Sequence, residues 1–148
     1  MINIYTKSGT LKGVSVISII LKSQKYKWTK AFRVDHKLPD NSFTKSIILD
    51  ALSVLYALKH VRDRYRKKKV VVHNDSNRIA LALKTNDDEE GEYTNKTSIQ
   101  IIEYLRDMSG TFSNLSLDEF SEKCEHKKEL EHIFIECALD NIELDEKD

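Results

Sequence analysis

Lys7 and Asp75 are the residues of this 148-residue chain on which its chemistry turns. Asp75 follows the short apolar run Val70-Val71-Val72-His73-Asn74, and a carboxylate at a strand tip is an oxygen ligand suited to Mg²⁺. Lys7 follows the run Ile2-Asn3-Ile4-Tyr5-Thr6, and an ammonium cannot ligate a metal ion. If the two strand tips are neighbours, that ammonium meets the carboxylate. A Lys7–Asp75 ion pair is then one use of that carboxylate; an exposed pair would contribute only ~0–1 kcal/mol. A second chemistry resides in Arg62, Arg64, Arg66, Lys67, Lys68 and Lys69, the densest basic cluster, where Tyr65 could stack on a base. The plainer use of those cations is a solvated helix end. A third lies in Trp28, flanked by Lys25, Lys27 and Lys30: on an edge strand it would anchor a protein partner or a homodimer. The histidines show no ligand spacing. Neither Cys124 nor Cys137 belongs to a metal-binding or redox motif, and no disulfide or cofactor is expected.

The elements that must position these residues follow from periodicity. Residues 2–6, 14–22 and 26–35 read as three strands joined by hairpins, the second β-branched and continuous, the third alternating. Ile47, Ile48, Ala51, Leu52, Leu55 and Leu58 recur at helical spacing, predicting a helix over 43–65 with Asn41 or Ser42 as its cap. A buried strand over 70–73, a short helix carrying Ile79 to Leu83, and an acidic loop over 85–94 come next. A helix over 96–108, a strand over 115–120 and a helix over 127–139 complete the order. Residues 1–139 are expected to form one domain, and 140–148 an acidic, frayed tail. The fold class is α/β with a five-stranded mixed sheet flanked by helices.

Formal net charge is zero, but unevenly spread. Residues 1–69 hold 16 basic and 4 acidic side chains, residues 70–115 hold 4 and 8, and residues 116–148 hold 4 and 12. An anionic partner for the first half is one consequence; cancellation by an acidic last helix is the other. No apolar run is long enough to span a membrane, and the first residues lack a signal peptide's zones, so a cytoplasmic location is expected.

This order of elements resembles the ribonuclease H family over nearly the whole chain, from Ile2 to about Ala138. Ile4-Tyr5-Thr6-Lys7-Ser8-Gly9 is similar to that family's first-strand ending, where Thr-Asp-Gly-Ser is usual. Ile47-Ile48-Leu49-Asp50-Ala51-Leu52 is similar to its first helix, which begins on a glutamate. Val71-Val72-His73-Asn74-Asp75-Ser76 is similar to its fourth strand, and Glu136-Cys137-Ala138 falls at its last-helix Asp-x-x-Ala motif. The resemblance implies four carboxylates gathering two Mg²⁺ ions that cleave the RNA strand of a hybrid. Carried over residue by residue, those carboxylates fall at Lys7, Ile47, Asp75 and Ile135, so only Asp75 survives, as a vestige whose expected use is a helix N-cap. Asp50 and Glu136 are the residues that a shifted alignment would offer as replacements. Asn77 falls where an amide reads a sugar hydroxyl, His126 loosely where the family has a loop histidine, and the family's basic protrusion is replaced by the acidic residues 87–92. The reading that results is a catalytically degenerate ribonuclease H-like protein without a metal, binding protein or nucleic acid. Such a chain suits a phage or mobile-element accessory. The alternative is a divergent metal-dependent nuclease of the same type.

Overall fold

The computed structural model describes residues 1–76, 78–84, 96–119 and 124–147. Strand β1 (Ile2–Leu11) turns through Lys12 and Gly13, both at positive φ (50° and 79°), into β2 (Val14–Lys22). Two such residues in succession suit the two-residue hairpin turn that matches strand twist. β1 therefore runs past the expected end at residue 6: Lys7 to Leu11 all pair with β2. β3 (Lys27–Arg33) follows, then α1 (Ser42–Tyr65), capped by Asn41, whose Oδ1 accepts the Thr44 amide at 3.0 Å. The remaining elements are β4 (Lys69–Asn74), α2 (Arg78–Lys84), α3 (Lys96–Gly110), β5 (Asn114–Glu119), α4 (Lys127–Asp140) and β6 (Leu144–Lys147).

The sheet has six strands in the order β5-β4-β1-β2-β3-β6, not five. β1 lies parallel to β4 and β4 to β5; the other pairs are antiparallel. The correction falls in the segment expected to fray. Asn141 takes a left-handed conformation (φ 57°) and its amide closes onto Glu136 O, ending α4 and turning the chain back to the sheet. β6 then pairs with β3, and Leu144 packs into the core. The sheet alternation sends Ile17, Ile19 and Leu21 against α1, on which α3 packs in turn, and Val16 and Ile20 against α4. Each such buried side chain gains roughly 1.5–3 kcal/mol over exposure, more than a surface ion pair.

Trp28 is not an edge anchor. It is 1% exposed, its indole stacks on His60 with ring centroids 3.6 Å apart, and its Nε1–H donates to Asp145 of β6 at 2.7 Å. With β6 in place, β3 presents no open edge on that side. Cys137 is buried, and burial pushes its thiol up. Among the described residues no helix is long and apolar enough to cross a membrane.

The parallel strands give the sheet two unlike ends. β4 and α1 run antiparallel, so Lys69 and Tyr65 share one end, while Asn74 and the first turns of α1 share the other. The candidate site lies at the second end.

Candidate functional site

β4 pairs with β1 up to Asn74↔Thr6, and the ladder continues in the Asp75 amide, which donates to Thr6 O at 3.2 Å. The residues that come next on both strands, Lys7 and Asp75, are thereby neighbours. Lys7 Nζ lies 3.3 Å from Asp75 Oδ2, the ion pair that the sequence allows. Each side chain is about a quarter exposed (27% and 24%). Behind them Asn74 Nδ2 donates to Thr6 Oγ1 at 2.8 Å, fixing the strand ends. At the start of α2 Ser76 Oγ accepts the Arg78 amide at 3.2 Å, while the Asp75 carboxylate meets Lys7.

A second ion pair stands beside the first. Asp50, on the buried stripe of α1, is 2% exposed. Ser8 Oγ donates to its Oδ1 at 2.7 Å, and Arg78 Nη2 reaches its Oδ2 at 3.1 Å. Arg78 also donates to Ser46 Oγ at 2.6 Å and to Ser76 Oγ at 3.1 Å, so α1, α2 and the β4 tip are tied through one guanidinium. Burial pushes the Asp50 carboxyl up against the opposing pull of Ser8 and Arg78. Burial also pushes Asp75 up; the Lys7 charge opposes it, and the negative charge of nearby Asp50 adds to it. The cluster thus holds two partly desolvated carboxylates and two fixed cations.

The first-helix position is corrected accordingly. Ile47 is 1% exposed in the core, and the helix residue that reaches the cluster is Asp50. The last-helix position is corrected too. Ile135 is 39% exposed, and Glu136 bonds His132 one turn back, so neither joins the cluster. The α4 residue that does is Phe134, whose ring centroid lies 5.0 Å from Lys7 Nζ. Gly9 permits this approach: a Cβ there would stand 3.2 Å from Phe134 Cζ. His126 is buried against the Tyr5 ring (centroids 4.7 Å) instead of lining the cluster. Asn77 and the acidic residues 87–92 lie outside the described residues. The basic run at 62–69 sits at the other end of α1 and β4 and does not share a face with Lys7. Arg78 and Ser8 were not legible as site residues. The available signal was Asp50 itself, since a carboxylate on an apolar helix stripe demands a partner.

No protein-family model matches the chain, and no curated protein matches it in sequence. Solved structures do match. RNase H1 from the halophilic archaeon Halobacterium salinarum is similar at a TM-score of 0.70 and 12% identity, covering 95% of this chain and 98% of that one. LC11-RNase H1 in complex with an RNA/DNA hybrid is similar at 0.70 and 14%, with the same coverage. The foamy viral protease-reverse transcriptase in complex with dsDNA is similar at 0.64 and 11%, covering 94% of each chain. The chain has the RNase H-like fold.

The Mg²⁺ pair implied by the family resemblance does not fit the donors present. Each cluster carboxylate already faces a covalently held cation, and Phe134 offers no oxygen. Among the described residues no three His, Cys, Asp or Glu side chains converge as a metal site.

Proposed function

We propose that this chain is a non-cleaving RNase H-like domain that binds nucleic acid. The observation that carries the reading is the pairing of Lys7 with Asp75 and of Arg78 with Asp50. Metal-assisted hydrolysis requires an ion with an open position that makes bound water a nucleophile. An ammonium and a guanidinium neutralise the carboxylates but have no such position. The nucleic-acid half of the reading draws on the RNA/DNA hybrid and dsDNA held by two of the structural neighbours, and on the surplus of cations in residues 1–69. A protein-binding role has lost one of the anchors that the sequence offered, because Trp28 is buried under β6.

One observation favours the alternative, a divergent nuclease: Asp50 and Asp75 lie close enough for the charge of one to raise the pKa of the other. The deciding assay is Mg²⁺- and Mn²⁺-dependent cleavage of an RNA–DNA hybrid and of single-stranded RNA. The expected result is no cleavage with either metal. Cleavage that disappears in Asp75→Asn would assign the chain to the nucleases instead.

A further inference from the structure

We infer that this domain contacts the nucleic-acid backbone with the end of the sheet opposite the ion-paired cluster, through Arg64, Arg66, residues 67–69 and the β2–β3 hairpin lysines Lys22 and Lys25. This rests on the nucleic-acid reading above and adds where the strand lies and which groups meet it. The register places these residues together. Lys69 begins β4 beside Ile2 of β1, and Asn3 of β1 faces Lys22, which in turn faces Lys27 at the start of β3. From β4 across β1 and β2 to β3 is three inter-strand spacings, about 14 Å. That width spans about four nucleotides at 3.4 Å rise per strand. The hairpin lysines belong to this surface only through the fold, since they are distant in sequence from the α1 end.

Pairing separates these cations from five others. Lys7, Lys27, Lys30, Arg62 and Arg78 each face a carboxylate. Lys22, Lys25, Arg64, Arg66 and residues 67–69 are exposed, and among the described residues none forms an ion pair. Helix-end compensation does not account for them. A helix C-terminus presents roughly half a negative charge, which Arg64 in the last turn already exceeds. Lys67, Lys68 and Lys69 lie beyond the Arg66 cap and add mutual repulsion that an anion would relieve. Tyr65 and Tyr26 are half-buried within this end, with the Arg64 guanidinium 5.6 Å from the Tyr65 ring centroid, giving the surface a planar element beside its charge. At the cluster end Lys7 and Arg78 are neutralised, which leaves exposed Lys12 and Lys37 with no run of cations like that at 64–69, and Asn74 lies about 17 Å along β4 from Lys69.

The test is fluorescence anisotropy with a labelled RNA–DNA hybrid, the matching DNA duplex and each single strand, between about 50 and 200 mM salt. The variant Arg64→Gln/Arg66→Gln/Lys67→Gln/Lys68→Gln changes exposed side chains, and circular dichroism checks its fold. It is expected to bind at least tenfold more weakly and to reduce the log–log salt slope by about 3, slightly more for duplex than for single strands. Lys22→Gln/Lys25→Gln is expected to weaken binding in the same direction. If instead Lys12→Gln/Lys37→Gln or Lys7→Met, both at the cluster end, carries the loss, this inference is overturned and the nucleic-acid reading stands. If the wild-type chain binds none of the nucleic acids at the lowest salt, the nucleic-acid reading itself falls. Binding to phosphatidylserine vesicles in that case would assign the basic end to a membrane surface.

Discussion

At the scale of the residue, the cluster is governed by Asp50. Its side chain is 3% exposed while that of Arg78 is 32% exposed, so the carboxylate depends on the guanidinium more than the reverse. Arg78→Ala would leave a buried charge with only the neutral hydroxyls of Ser8 and Ser76 to face it. The expected loss is about 3 kcal/mol at pH 7, the lower part of the range for breaking a buried pair because water screens Arg78. The pH dependence distinguishes this cause from lost packing. Burial raises the Asp50 carboxyl above its ordinary 3.8, so the folded state holds that proton more tightly than the unfolded chain. Stability from this group therefore rises as pH falls through the raised folded value toward 3.8, and in Arg78→Ala the rise starts at a higher pH. Urea melts of Arg78→Ala from neutral to acid pH should show its deficit shrinking. A constant deficit would mean that Arg78 acts only through Ser46 and Ser76. The Lys7–Asp75 pair was legible because strand order alone makes those two tips neighbours. Asp50 was harder to see. Ile47 and Asp50 are three residues apart, only about 60° around the helix, so a resemblance in sequence does not choose between them; the contacts of Asp50 with Ser8 and Arg78 do.

At the scale of the element, β6 is what the sequence concealed. Leu144-Asp145-Glu146-Lys147 carries one apolar residue and three charges, a composition that reads as solvated tail. It becomes a strand because β3 supplies an open row of backbone groups and because Asp145 answers the buried Trp28 N–H. That hydrogen bond, and then Lys30, hold the Asp145 carboxyl below its ordinary 3.8. Its contribution is present above 3.8 and lost as pH falls through the depressed folded value. Asp145→Ala strands a buried donor, at an expected loss of about 1–2 kcal/mol. Trp28 is the chain's only tryptophan, so its emission reports the change directly: it should shift if β6 loosens, and an unshifted spectrum with unchanged stability would show that backbone pairing alone holds the strand. The last-helix register failed for a related reason. An Ile-x-x-Ala match is met by many apolar helices, whereas only packing shows that Phe134, beside Gly9, faces Lys7.

At the scale of the molecule, the order of hairpins, crossover helices and β-branched strands was enough to reach the RNase H-like fold, because few topologies bury a continuous strand over 14–22 between helices on both faces. Charge placement was legible only as a total per segment. The structure converts it into two ends, one where Lys7 and Arg78 are paired to carboxylates and one where Arg64, Arg66 and residues 67–69 form no ion pair among the described residues. This division has a thermodynamic consequence. A ligand that binds only the folded state stabilises it by RT ln(1 + [L]/Kd). At a free Mg²⁺ concentration ten times Kd, that is about 1.4 kcal/mol, or about 3–6 °C in Tm for a domain of this size. The wild-type chain, with both carboxylates committed to cations, should shift by less than about 1 °C between excess chelator and excess Mg²⁺ or Mn²⁺. Lys7→Asp removes one of those cations and adds an oxygen donor beside Asp75 and near Asp50. It should melt lower than wild type in chelator, through carboxylate repulsion, and recover several degrees when metal is added. A wild-type chain that itself gains several degrees with metal would show that the ion pairs yield to it, and would return the cluster to nuclease chemistry.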